Sequence, residues 1–201
     1  MKKRDYGILF YPEIRLLKMR YLCINMRRIP AILFLFIITL PACNKGNENS
    51  SSGTATINNT LYMDQSLQTY YSYGFLFSSG KLVSILNTPP PDITINNDGT
   101  LGDLRLEADN FDNSFYKVGQ YPDATTAKEV FDTLVSPTVL QWVVWADSLN
   151  SNQVWLYKSG NEHYSKIRIV STISEVRDSL DYAECTFQWV YQPNGSLTFP
   201  R

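Results

Sequence analysis

From Ala183 to Tyr191 the chain alternates, with Ala183, Cys185, Phe187, Trp189 and Tyr191 set against Glu184, Thr186, Gln188 and Val190. Successive side chains of a strand point to opposite faces, so this period of two predicts a long strand with one buried face. The same period returns in Leu104 and Leu106 against Arg105 and Glu107, and in Ile167 and Ile169 against Lys166 and Arg168. Cys185 falls among the inward positions, where a thiol reads as a small hydrophobe and not as a nucleophile.

Turn residues divide the rest. Residues 69–77 and 81–86 flank Ser78-Ser79-Gly80 and predict a hairpin, Pro89-Pro90-Pro91 breaks any regular element, and Asn97-Asp98-Gly99 marks a turn. Residues 153–158 and 164–171 predict a second hairpin, and 139–145 a further strand. Asn194-Gly195, between VYQP and SLTF, is the strongest hairpin signal, because both positions of a type I′ turn need positive φ. One helix is expected at about 124–135: Asp123 is a good N-cap, Ala127, Val130, Phe131 and Leu134 recur at helical spacing, and Pro137 forbids continuation. The expected fold is mainly β, antiparallel sheets in a sandwich with one short helix, in a single domain.

Residues 31–40 (AILFLFIITL) belong to a different solvent. They are apolar apart from Thr39, follow Arg27 and Arg28, and lead into Leu40-Pro41-Ala42-Cys43. A transmembrane helix needs about 20 apolar residues, so ten residues followed by Asn44, Lys45, Gly46 and Asn47 read as an export signal. Leu40 to Cys43 resemble the lipobox of bacterial lipoproteins, which implies cleavage before Cys43 and lipid on its sulfur. An ordinary secretory signal with a chance cysteine is the other reading. Acyl chains contribute about 0.8 kcal/mol per buried CH₂, so several on one cysteine hold a protein to a membrane. Residues 1–25 carry Lys2, Lys3, Arg4, Arg15, Lys18 and Arg20, a lead-in longer than such a signal needs, whereas Met26-Arg27-Arg28-Ile29-Pro30 reads as an ordinary start. Translation is therefore expected to begin at Met26 and not at Met1 or Met19. The expected organisation is a signal over 1–42, a polar tether over 43–54 and a β-rich domain over 55–201. The corresponding place is the cell envelope, on the periplasmic or the surface face of the outer membrane.

Removing residues 1–42 leaves ten Lys and Arg against 17 Asp and Glu, a formal charge near −7. Such a balance offers no basic stripe for phosphate, which argues against a nucleic-acid partner. It also leaves Cys185 without a disulfide partner once Cys23 is removed and Cys43 acylated.

Catalytic signatures are missing: no G-x-S-x-G elbow, H-E-x-x-H or phosphate-binding glycine loop occurs, so the chain reads as non-enzymatic. Asp103, Glu107, Asp109 and Asp112 are close in sequence, and DNFDN at 109–113 presents hard oxygens of the kind calcium takes, although such a run is also an ordinary turn. Trp142, Trp145, Trp155 and Trp189 lie among predicted strands with Tyr157, Tyr164 and Tyr191, and outward-facing ones would stack on sugars or a porphyrin. Alternation puts Trp142 with Val144 and Trp145 with Val143, so one tryptophan belongs to the less buried face. Trp145 and Trp155 are the first candidates.

The run QVWLYK at 153–158, the turn at 159–163, YSKIRI at 164–169 and TFQWVYQPNGS at 186–196 resemble the C-terminal half of the HmuY-type haem-binding lipoproteins. Tyr70-Tyr71-Ser72-Tyr73 is similar to that family's aromatic early strand. The resemblance implies a lipid-anchored β-protein that captures haem outside the cell and passes it to an outer-membrane receptor, with axial ligands drawn from His or Met. Carried onto this chain, it makes His163 the candidate haem-iron ligand, with Met63 and Tyr164 as further candidates beside Trp145 and Trp155. Two departures stand out. After residue 42 the chain has one histidine and one methionine, so two histidines from one molecule cannot ligate the iron. The family's Trp-Asp strand opening is replaced by Gly102-Asp103-Leu104-Arg105-Leu106. The competing expectation is an accessory lipoprotein that binds a glycan, peptide or protein partner without haem.

Overall fold

Alternation and turn placement together build two sheets in the computed structural model, which describes residues 51–99, 101–110 and 112–200. The basic lead-in, the apolar run, Cys43 and most of the expected tether lie outside the described residues. The strands run β1 (Ser52–Asn58), β2 (Tyr62–Asp64), β3 (Thr69–Tyr71), β4 (Tyr73–Leu76), β5 (Lys81–Ser84), β6 (Ile93–Asn97), β7 (Leu104–Ala108) and β8 (Phe115–Gln120). After the helix α1 (Ala124–Thr133) come β9 (Trp145–Ala146), β10 (Gln153–Lys158), β11 (Tyr164–Arg177) and β12 (Leu180–Gln192). One five-stranded sheet has the order β1-β12-β11-β10-β8, the other β5-β4-β6-β7-β9, and β2 pairs with β3 alone. Every pairing is antiparallel, so the expected mainly β sandwich with one helix is what the chain forms.

The inward faces meet in an aromatic core. Phe75 lies against Phe77, Phe187 and Trp189 with ring centroids 5.2, 5.4 and 5.2 Å apart, and Phe77 reaches Tyr157 at 5.3 Å. Each such pair adds about 0.5–1.5 kcal/mol beyond area burial. Cys185 is fully buried here, and burial raises its thiol pKa above the usual range, as expected of an inert core thiol. A smaller apolar layer covers the outer face of the first sheet, where Ala127 and Phe131 of α1 lie with Val154, Leu156 and Phe199 buried nearby. The helix begins where expected, with the Asp123 carboxylate accepting from the Thr126 N–H at 2.8 Å, and stops two residues earlier, at Thr133, with Leu134 as its cap.

Four expectations need correction. The tether is shorter than composition suggested, because Ser52, Gly53 and Thr54 already pair with Val190, Trp189 and Gln188. A partner strand can order a polar segment that would not order itself. The stretch 69–77 is two strands, broken at Ser72, with β3 pairing β2 and β4 pairing β5 and β6. Of 139–145 only Trp145 belongs to a strand, and Val143 adds a lone bridge to Phe115. Asn194-Gly195 makes a turn but no hairpin: Gly195 alone has positive φ, at 72°, and Asn194 Oδ1 accepts from the Ser196 N–H. The type I′ geometry sits instead between β11 and β12, where Asp178 and Ser179 both take positive φ, 49° and 67°.

Candidate functional site

β12 pairs with β11, and β11 with β10, so that Tyr191 lies opposite Ser165 and Ser165 opposite Tyr157. Directly opposed residues share a face, and this row therefore points inward beside Ile167 and Ile169. It is the polar end of an otherwise apolar face. Above it opens a cleft of about 370 Å³ at the end of the sandwich, walled by Pro89, Pro90 and Pro91 and by the turn that carries Ser159 and His163.

That turn is tightly specified. The Ser159 N–H donates to the His163 carbonyl at 2.9 Å, the His163 N–H donates to Ser159 Oγ at 3.1 Å, and Glu162 takes positive φ at 58° between them. His163 is half-buried, with its Nδ1 2.9 Å from the Tyr191 hydroxyl. Asp92, just after the proline run, supplies a half-buried carboxyl. Its Oδ2 accepts from the Phe77 N–H at 2.7 Å, while the Tyr157 hydroxyl donates to its carbonyl at 3.2 Å and to Oδ1 at 3.3 Å. Burial raises the Asp92 pKa, opposed by those two donors, and burial followed by the Asp92 charge raises that of Tyr157. Asp109 and Asn110 complete the rim, and no lysine or arginine is among the described lining residues.

Of the candidate ligand residues His163, Met63, Tyr164, Trp145 and Trp155, only His163 lines this cleft; Asp109 of the carboxylate run and Tyr157 and Tyr191 of the aromatic set line it as well. Tyr164 follows it directly and so points to the opposite face of β11, where its ring lies 6.1 Å from Trp142; Tyr116 and Lys158 flank the same indole at 6.4 and 5.4 Å. Met63 sits on β2, 41% exposed and opposite Tyr70, and does not line the cleft. Trp155 is a correction: only 4% exposed, it belongs to the core, with its Nε1–H donating to Gln153 Oε1 at 2.9 Å. Trp145 is on the less buried face, as alternation expected, at 39% exposed, with the Arg105 guanidinium 4.8 Å over its ring. Within the DNFDN run, Asn110 Oδ1 accepts from the Asp112 N–H and the Ser114 hydroxyl. Among the described residues no group of three or more His, Cys, Asp or Glu is arranged to hold a metal ion. Cys43 lies outside the described residues.

Asp92, Tyr157, Ser165 and Tyr191 as a group were not read from sequence. Their one visible signal is Ser165, a hydroxyl at an inward position of a strand whose next inward residues are Ile167 and Ile169.

No family model, curated protein or solved structure matches this chain. The test of haem therefore falls on the residues themselves. Among the described lining residues they supply one imidazole, two tyrosine hydroxyls and two carboxylates, with no methionine and no cation for a porphyrin's carboxylates.

Proposed function

We propose that this chain is a lipid-anchored, non-enzymatic binding protein of the cell envelope whose ligand sits in the cleft under His163. The observation that supports this best is the inward polar row Tyr157, Ser165 and Tyr191, roofed by His163 and Asp92. Tyr157 is bonded to Asp92 and Tyr191 to His163, but Ser165 Oγ is buried without a partner among the described residues, and a buried hydroxyl left unbonded destabilises a fold, so its retention supports a ligand nearby. The cleft is also large enough for a small molecule, since such sites begin at about 300 Å³. On this reading the entry of the chain puts the cleft end of the sandwich nearest the anchor. The Tyr191 N–H donates to the Ser51 carbonyl at 2.8 Å, so Ser51 lies at the cleft end of the sandwich. Seven residues lie between it and Cys43, and the eight steps from one to the other reach at most about 28 Å.

Location is tested by labelled palmitate. The expected result is incorporation into the wild-type chain and complete loss in Cys43→Ala; label retained in the variant would remove the anchor.

Haem capture is a second reading, favoured by one contact. A metal-bound imidazole usually has its other ring nitrogen held by a neighbouring group, as Tyr191 holds Nδ1 of His163. A Soret titration in both redox states separates the two readings. The first expects no shift; a one-to-one shift that disappears in His163→Ala would establish the second.

A further inference from the structure

We propose that the cleft takes a protonated amine on a small organic molecule, because the half-buried Asp92 carboxyl and the rim carboxyl of Asp109 line it among prolines and tyrosines, and the unpartnered Ser165 hydroxyl is buried on the same sheet face between two of those tyrosines. This rests on reading the cleft as the ligand seat, and it names the chemistry of the group that enters.

Three observations converge on it. Ser165 Oγ is fully buried and has no hydrogen-bond partner among the described residues. It stands between Tyr157 and Tyr191, which both line the cleft, on the same face of the sheet. Ser165 does not itself line the cleft, and an ammonium would reach this hydroxyl only by parting the two rings that flank it.

The second is the acceptor count. Each carboxylate oxygen has two lone pairs, and Asp92 Oδ2 has spent one on the Phe77 N–H and Oδ1 one on Tyr157. Both oxygens keep accepting capacity, and Ser165 Oγ adds another acceptor. An ammonium carries three N–H donors and no acceptor. Its donors match this set.

The third is the sign of the charge. Asp92 and Asp109 lie in the lining, and no lysine or arginine does among the described residues. A half-buried carboxylate is screened less than one at the surface and repels an entering anion strongly. Burial already disfavours the charged form of Asp92, and a cation reverses that preference by supplying the missing counter-charge. A bare metal ion is a poorer match, since no group of three His, Cys, Asp or Glu is arranged to hold one. The three prolines and the tyrosine rings suit the short methylene chain of an aliphatic amine, and a ring face attracts its charge.

The experiment titrates the intact purified protein with putrescine and, separately, with succinate, a dianion of the same carbon count. The backbone amide of Phe77, bonded directly to Asp92, is the NMR reporter. Putrescine is expected to move that resonance and succinate to leave it in place. Asp92→Asn should weaken putrescine about tenfold or more, and Ser165→Ala about threefold, as the loss of a charged and a neutral hydrogen bond would. Asp109 is exposed, so Asp109→Asn keeps the fold and should weaken binding about threefold, which keeps the proposal testable if Asp92→Asn does not fold. A shift with succinate and not putrescine overturns the amine and leaves the cleft as a seat for another ligand. A Phe77 amide unmoved by either probe removes the amine and counts against the seat itself. Equal putrescine affinity in wild type, Asp109→Asn and Ser165→Ala places binding elsewhere and overturns the proposal.

Discussion

Gly74→Ala is expected to destabilise the sandwich by about 3 kcal/mol, a shift of roughly 6–12 °C in Tm for a domain of this size. Gly74 is buried on β4, and a β-carbon there would press into the Ile93 carbonyl and stand 2.6 Å from Pro91 Cβ. Neither neighbour is the free end of a flexible side chain. Ile93 is held in β6, and Pro91 belongs to the buried end of the proline run. The methyl must therefore displace backbone, which explains a cost at the upper end of ordinary overpacking. The same displacement would move Pro91, a wall of the cleft, and so join stability to the site. Gly99→Ala is the control. Gly99 has a positive φ of 70° and nothing within 4 Å of an added β-carbon, so only conformational strain of about 1 kcal/mol is expected. Equal losses in the two variants, measured by denaturant unfolding, would show that close packing at Gly74 is not what the residue serves.

Much of the sandwich was legible because its strands carry one buried face each. Leu104 and Leu106 are 2% and 0% exposed, and Ala183, Cys185, Phe187, Trp189 and Tyr191 are all buried, as their alternation required. The Asp123 cap was equally plain, since one carboxylate on one N–H is a local event. What failed was everything decided by partners distant in sequence. β1 is polar and is ordered by β12, more than a hundred residues away. β8, with the sequence FYKVGQ, was not singled out because its edge position and its shifted register against β10 leave it little alternation. The tight β11–β12 turn hid for a different reason. Asp178 and Ser179 adopt the left-handed geometry that Asn-Gly would advertise, while the actual Asn-Gly serves a turn with no strand after it.

The cleft was less legible than the fold for the same reason. Asp92 follows a proline run, Tyr157 and Tyr191 lie 34 residues apart, and only strand pairing through Ser165 brings the two rings into one row. His163 could be found as the one histidine, but sequence put it only in the turn at 159–163. Its contact with Tyr191 comes from the close of the Ser159–His163 turn, which folds the imidazole back over the sheet end. A hairpin pattern speaks only to strands and turns. Ligand chemistry depends on the identity of a few side chains, and the cleft is lined by His163, two tyrosines and two carboxylates.

Lys166→Ala is expected to cost about 3 kcal/mol, far more than removal of the other lysine that serves the helix. Lys166 alternates with Ile167 and so should face solvent, yet it is 1% exposed, because α1 and Phe199 cover that face of the sheet. Its ammonium donates to the carbonyls of Phe131 at 2.7 Å and Leu134 at 3.1 Å and lies 5.0 Å from the Phe131 ring. These carbonyls belong to the end of α1, where the last acceptors of a helix lack partners and a cation is favoured. The helix has no basic residue in its own last turn, and the sheet supplies one. Burial lowers the Lys166 pKa, as expected of an ammonium drawn out of water. Alanine leaves two carbonyls without donors above a cavity. Methionine refills the volume without the bonds and is expected to cost about half as much. Lys128 pairs with Asp132 one turn along the same helix, but both side chains are about half exposed, and such pairs contribute 0–1 kcal/mol. Unfolding titrations of the three variants, with hydrogen exchange of the α1 amides, check the ranking. A Lys166→Ala variant within about 0.5 kcal/mol of the wild type, or α1 amides exchanging no faster than in Lys128→Ala, would mean that the helix end is satisfied by something other than this lysine.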